Sequence, residues 1–174
     1  MTEWFVIITK AIWCGFAGLG FGVLFNVPVR ALLPVWVGGF IAGLVKFSIL
    51  HIATGAGMTA ASFAAALTVG FLSLLIAYLL RVPPLIFAIP SVIPLIPGAF
   101  AYRTMLGLMK LTGNIGSDYT LLLSETVYNG VTTLFVIMAL SLGVTVPLHI
   151  MRWDSIDKIR LRMGDRSEHN DMKI

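Results

Sequence analysis

The segment Ile89-Pro90-Ser91-Val92-Ile93-Pro94-Leu95-Ile96-Pro97-Gly98 decides how the chain is organised, because it interrupts an otherwise apolar stretch. It has three prolines within eight residues, and each proline removes a backbone donor and disrupts a helix. Carbonyls without partners are tolerated at membrane depth only where they are buried in protein or line a wet cavity. Broken helices of this kind form the substrate sites of many secondary transporters. We therefore interpret the segment as the lining of a site, in preference to a kink that serves only shape.

The residues of the break are the first candidates for substrate binding. They are Pro90, Ser91, Pro94, Pro97 and Gly98. Gly98 is expected to begin a new half-helix, whose N-terminus offers free N–H groups and a partial positive charge. Such an end suits a carboxylate.

The composition of the whole chain requires a membrane. Hydrophobic residues make up 58% of the 174 residues and charged residues only 11%, whereas a soluble domain carries roughly a quarter charged residues. The apolar residues come in blocks that can cross a bilayer, which takes ~20 residues of helix. The fold class is therefore all-α, a polytopic helical membrane protein in contact with the lipid bilayer. The net charge of +4 lies at span ends and in the C-terminal tail, so it does not indicate a nucleic-acid partner.

Polar and proline-containing breaks divide the apolar sequence into about five transmembrane helices. The predicted spans run from about Trp4 to Phe25, Ala31 to His51, Thr59 to Leu80, Leu85 to Met109 and Thr120 to Ile150. The fourth span is the one that the prolines break. Residues 1–151 thus form a membrane bundle, and residues 152–174 form a charged cytoplasmic tail that we expect to be flexible.

The positions of lysine and arginine predict the orientation of the bundle. Loops that carry these residues favour the cytoplasmic side. With the N-terminus outside and the C-terminus inside, the inner side collects Arg30, Arg81, Arg152, Lys158, Arg160, Arg162, Arg166 and Lys173. The outer connections then contain only Lys110, so we expect the N-out, C-in orientation.

Four charged residues lie within predicted spans, where a charge at the centre costs ~2.5–3.5 kcal/mol or more. They are Lys10, Lys46, Arg103 and Glu125. For Lys10 and Lys46 we favour long side chains that extend to the outer interface. Arg103 follows Gly98 by about 7.5 Å along a helix, and it lies at a depth similar to that of Glu125. We therefore hypothesise that these two residues form a buried pair, with Glu125 as partner or proton carrier.

Two patterns of polar and small residues indicate faces that pack inside the bundle. Glu125, Asn129 and Thr132 recur at i, i+4 and i+7, which places them on one helical face. Small residues let helix backbones approach each other in lipid. They recur in the first two spans as Gly15, Gly18, Gly22, Gly39 and Gly43. We expect packing within the chain, and an oligomer is the open alternative.

The sequence contains no combination of residues that indicates catalysis, a metal or a cofactor. His51 and His149 lie at opposite membrane ends and His169 lies in the tail. Phosphate loops, nucleophile elbows and paired carboxylates are not found. We interpret Ser91 and Ser124 as residues that hydrogen-bond one helix to another, and we do not expect an enzyme.

Two motifs resemble the threonine/serine exporter family. The first is Phe25-Asn26-Val27-Pro28-Val29-Arg30-Ala31-Leu32, and the second is Ile93-Pro94-Leu95-Ile96-Pro97-Gly98 followed by Ala101-Tyr102. The resemblance covers roughly residues 4–150, and it is strongest to the small membrane subunit of the two-component form.

The resemblance implies a subunit of a secondary-active exporter of threonine, serine or a related small carboxylate in the bacterial inner membrane. It also implies a larger partner subunit, which supplies the other membrane domain and a soluble domain. Family motif positions add Asn26, Pro28 and Arg30 on the cytoplasmic side, and Tyr102 near the break, to the candidate residues. The alternatives are an exporter of a dicarboxylate such as succinate, or a membrane scaffold that transports nothing.

Overall fold

The computed structural model describes residues 2–52, 57–80, 82–113 and 119–171, with side chains for residues 3–52, 57–80, 82–113 and 119–150. Across these ranges all the regular structure is helical, which confirms the all-α prediction. The helices are α1 (Thr2–Leu24), α2 (Val29–Ile52), α3 (Met58–Leu80), α4 (Leu85–Val92), α5 (Gly98–Gly113) and α6 (Tyr119–Asp171), with a 3₁₀ turn at Ile93–Leu95 between α4 and α5.

Among the described residues, four segments are long and apolar enough to cross a membrane by themselves. They are Glu3–Leu24, Val29–Ile52, Met58–Leu80 and Tyr119–Ile150. Leu85–Leu95 and Gly98–Gly113 form a fifth candidate that is bent by 58°. With helical rises of ~1.5 Å and, in the 3₁₀ turn, ~2.0 Å per residue, these two pieces reach ~18 Å and ~24 Å. Along the axis of the first piece, its length and the component of the second piece add up to ~31 Å, which is close to the ~30 Å thickness of a hydrocarbon core.

The end of α1 explains two residues of the first motif by local chain geometry. Asn26 has a left-handed backbone with φ of 55°, a conformation that asparagine tolerates better than most residues. The N–H of Asn26 donates to the Val23 carbonyl at 3.0 Å, and the N–H of Val27 donates to the Gly22 carbonyl at 2.9 Å. These two bonds form a Schellman motif, after which Pro28 cannot continue the helix.

The helices pack through small residues, as the sequence predicts. A Cβ added at Gly39 would lie 2.9 Å from the Cys14 carbonyl oxygen, and one added at Gly43 would lie 2.9 Å from the Ala11 Cα. The main buried cluster draws on α2, α3, α4, the 3₁₀ turn and α6. Its members are Ala42, Ala65, Ala66, Val69, Ala88, Val92, Leu95, Val136, Leu140 and Val144. The packing glycines of α1 and α2 therefore serve contacts within the chain.

Some predictions about the connections and the tail remain predictions. Arg81, residues 53–56 of the predicted turn and residues 114–118 of the predicted loop lie outside the described residues. The helical backbone of α6 continues beyond Ile150 to Asp171, but the charged side chains of the tail also lie outside the described residues. The flexibility of the tail and the N-out, C-in orientation stay predictions.

Candidate functional site

The prolines build the break between α4 and α5 in two steps. Pro94 has no N–H to donate to the Pro90 carbonyl, and here the chain tightens into the 3₁₀ turn. Pro97 then disfavours a helical conformation for the residue before it, and Ile96 is extended with φ of −64° and ψ of 130°. Helix α5 begins at Gly98, as predicted, and a Cβ at Gly98 would meet open space.

The first turn of α5 has fewer free donors than the sequence suggested. The N–H of Gly98 donates to the Ile96 carbonyl at 2.9 Å, and those of Phe100 and Ala101 donate to the Pro97 carbonyl at 3.1 and 3.2 Å. Of the four N–H groups from Gly98 to Ala101, that of Ala99 alone has no such bond. The turn that the prolines create therefore uses most of the donors that we expected for a carboxylate.

Ser91 links the broken span to α2. Its hydroxyl lies within hydrogen-bond distance of two carbonyl oxygens, that of Phe87 at 2.7 Å and that of Val35 at 3.0 Å. Gly38 makes room for this contact, because a Cβ there would lie 2.6 Å from the Ser91 Oγ. The interpretation of Ser91 as a helix-to-helix hydrogen-bonding residue is confirmed. For Ser124 it is wrong, since its hydroxyl donates to the Leu121 carbonyl of its own helix.

Lys46 forms the second link between α2 and the break, and here the sequence interpretation is wrong. The side chain is only 4% exposed, and its Nζ donates to the Leu95 carbonyl at 2.6 Å. It therefore does not extend to the membrane surface. Lys10, in contrast, is exposed, with its Nζ 5.5 Å from the centre of the Phe47 ring. The carbonyl that Lys46 binds belongs to the last residue of the 3₁₀ turn, where the regular helix has stopped.

The predicted buried pair of Arg103 and Glu125 does not form. Both side chains are exposed, and they make no ion pair in the part of the chain that the structure describes. Helix α5 packs on α6 through a different face. On this face the Thr126 side chain occupies the space next to Gly107 where a Cβ would lie, and Thr104 lies close to Gly130. Rotation about the helix axes therefore turns the two charges away from the contact.

The polar residues of α6 are buried on a face next to the predicted one. Glu125 is exposed, and Asn129 and Thr132 are half-buried. In the part of α6 with described side chains, the buried polar residues are Thr126 and Thr133. Their hydroxyls donate to the Leu122 carbonyl at 2.7 Å and to the Asn129 carbonyl at 2.8 Å of the same helix.

The remaining candidates fall into two groups. Pro90 and Pro97 are buried and Pro94 is half-buried at the break, whereas Tyr102 is 65% exposed on α5. Asn26, Pro28 and Arg30 are exposed in and after the α1–α2 connection. The structure thus brings Ser91 and the three prolines together, and it does not place Arg103, Glu125 or the α1–α2 connection among them. What each of these residues does stays a prediction.

An open cleft of about 330 Å³ separates the broken span from α6. Its surface is mostly aliphatic, with two hydroxyl residues on α6. The lining residues are Leu85, Ile89, Val92, Ile93, Ile96, Ile137, Leu140, Ser141, Val144 and Thr145. Ile93 and Ile96 flank Leu95, so the short turn that binds Lys46 on one side borders the cleft on the other. No sequence pattern marks this cleft, because it depends on how far apart α4 and α6 lie.

Apolar membrane-spanning helices around a proline-broken segment define a multi-pass membrane protein of the kind found among secondary transporters. Residues 10–150 match the family model described as Threonine/Serine exporter, ThrE. The chain belongs to this family of transporter components, which confirms the resemblance of the two motifs.

One curated relative shows how much of a longer protein the chain corresponds to. An uncharacterized protein of Haemophilus influenzae is 26% identical over 141 residues, which cover 81% of this chain and 46% of that protein. The chain therefore spans about half the length of this relative. No solved structure matches the chain.

Proposed function

We propose that this chain is a subunit of a secondary-active exporter of threonine, serine or a related small carboxylate. The observation that carries the proposal is the broken fourth span, which lies within the residues that match the exporter family. Two hydrogen bonds join this span to α2 on one side, one from Ser91 to the Val35 carbonyl and one from Lys46 to the Leu95 carbonyl. An open cleft borders the span on the other side. A broken helix beside a cleft is a common arrangement for a substrate site.

The proposed exporter works in the bacterial inner membrane together with a larger partner subunit. The match to only about half of the Haemophilus influenzae protein supports a further component beside this chain. The aliphatic lining of the cleft supports it as well, since a polar substrate needs more hydrogen-bonding groups than Ser141 and Thr145 provide. The partner would supply the remaining polar groups.

A small carboxylate is favoured over a neutral solute by the buried Lys46 at the break. Its Nζ donates to the Leu95 carbonyl of the turn itself. An amino acid also brings an ammonium group, for which the exposed Glu125 or an acidic residue of the partner is the counterpart. A dicarboxylate such as succinate would instead need a second cation.

Counter-flow into proteoliposomes tests the function and the substrate together. The complex of this chain with its partner is reconstituted, the vesicles are loaded with L-threonine, L-serine or succinate, and uptake of labelled L-threonine or succinate is measured. We expect uptake with the complex and none with either subunit alone. Uptake by this chain alone would refute the need for a partner. A complex that assembles but gives no counter-flow with any of the three solutes would favour the scaffold function.

A further inference from the structure

Lys46 is the one buried charged residue among those whose side chains the structure describes. An ammonium group has three N–H donors and no acceptor. One of these donors binds the Leu95 carbonyl, and within the described ranges no carboxylate lies within ion-pair distance of Lys46. Burial of an ammonium is unfavourable unless it is paired and hydrogen-bonded. Among the described residues the buried cation thus has a neutral oxygen as its partner, and a carboxylate would be a stronger one.

The position of Leu95 relates this cation to the cleft. The Leu95 carbonyl binds Lys46 and the Leu95 side chain lies in the main buried cluster, while Ile93 and Ile96 line the cleft. The two environments are connected by a turn of three residues, in which the α-helical bond from the Ile93 N–H is followed by a 3₁₀ bond from the Ile96 N–H to the Ile93 carbonyl. A movement of this turn would bring the ammonium and the cleft together.

We infer that Lys46 is the group that binds the substrate carboxylate, and that the Leu95 carbonyl takes the place of that carboxylate when the site is empty. The inference rests on the proposed function and deepens it. The carboxylate replaces a neutral acceptor by a charged one, and hydrogen bonds between charged groups are shorter and stronger. The release of Leu95 then frees the turn from α2, so that substrate binding and movement of the broken span become one event.

The test compares a carboxylate with its amide in the assembled complex of this chain and its partner. L-Threoninamide keeps the ammonium and hydroxyl groups of L-threonine but lacks the negative charge. Affinities for both are measured by titration calorimetry, with succinate and succinamide as the pair if counter-flow selects the dicarboxylate. The wild-type complex should prefer the carboxylate by about tenfold or more. Lys46→Met should lose this preference through weaker carboxylate binding, and Lys46→Arg should retain part of it.

Lys10→Met is the matched control, because Lys10 is also a lysine of an apolar span but is exposed. It should keep the wild-type preference. If Lys46→Met does not assemble, Lys46→Gln decides, since glutamine keeps an N–H donor for the Leu95 carbonyl without the charge. A purely structural role of Lys46 would change stability and leave the ratio of the two affinities unchanged.

Each outcome separates the inference from the function on which it rests. An assembled Lys46→Met or Lys46→Gln complex that still prefers the carboxylate overturns the inference and leaves the exporter in place. A wild-type complex that binds the acid and the amide equally well also overturns it. A wild-type complex that binds none of L-threonine, L-serine and succinate refutes the proposed function, and the inference falls with it.

Discussion

Gly38→Ala places a methyl group against the hydroxyl that joins α2 to the broken span. The new Cβ would lie 2.6 Å from the Ser91 Oγ and 3.1 Å from the Ser91 Cβ. Because that hydroxyl faces the Val35 and Phe87 carbonyls, it cannot move aside without weakening at least one hydrogen bond. Overpacking typically destabilises a protein by ~1–3 kcal/mol, whereas the better helix propensity of alanine stabilises it by ~1 kcal/mol. We expect a net loss of up to ~2 kcal/mol in the free energy of unfolding.

The double variant with Ser91→Ala shows whether this loss arises at the predicted contact. Ser91→Ala alone should cost about 0.6 and at most ~1.7 kcal/mol, the range for hydrogen bonds between membrane helices. With the Oγ removed, the added methyl of Gly38→Ala meets only the Cβ of residue 91. The double variant should therefore lose ~1 kcal/mol less stability than the sum of the two single variants, as expected for residues in contact.

Gly20→Ala is the matched control, because a Cβ at this helical glycine of α1 has no neighbour within 4 Å. It should leave the protein as stable as the wild type or up to ~1 kcal/mol more stable. Unfolding free energies are measured in micelles or bicelles by steric trapping, for the wild type and each variant. The reasoning is refuted if Gly38→Ala matches Gly20→Ala in stability, or if its effect adds to that of Ser91→Ala in full.

Three further predictions concern the break and the α5–α6 contact. Pro97→Ala removes the restriction that keeps Ile96 extended, so most export should be lost while assembly on size-exclusion chromatography is retained. A double-mutant cycle of Arg103→Gln and Glu125→Gln should show a coupling of about 0 kcal/mol in stability, because the two exposed groups form no ion pair. Gly107→Val should destabilise the chain by ~1–3 kcal/mol, since Thr126 fills the space of the added side chain; an unchanged unfolding free energy would contradict the packing of α5 on α6.

The break could be predicted from the sequence because its causes are local. Proline has no N–H and restricts the residue before it, wherever the chain places it. The extended Ile96 and the helix start at Gly98 follow from these two effects alone. The end of α1 at Leu24 has the same local origin, since the left-handed Asn26 and the proline that follows it belong to a motif that the resemblance marks as functional.

Contacts that depend on rotation about a helix axis could not be predicted in the same way. Hydropathy places Arg103 and Glu125 at similar depth, but depth does not specify which way each side chain points. The α5–α6 contact forms where Gly107 lets the backbones approach around Thr126, and the charges then lie outside it. The cleft depends on the separation of α4 and α6, which no pattern within one helix encodes.

Lys46 is an intermediate case, because a signal for its burial was present in the sequence. It lies three residues after Gly43 and seven after Gly39, and this spacing places all three on one face of α2. Since the two glycines pack against the backbone of α1, a lysine on their face must also point inward. A buried ammonium then needs an acceptor inside the protein, and the turn made by the prolines supplies one at Leu95. The lysine and the proline break, which seem unrelated along the chain, are thus two parts of one structural unit.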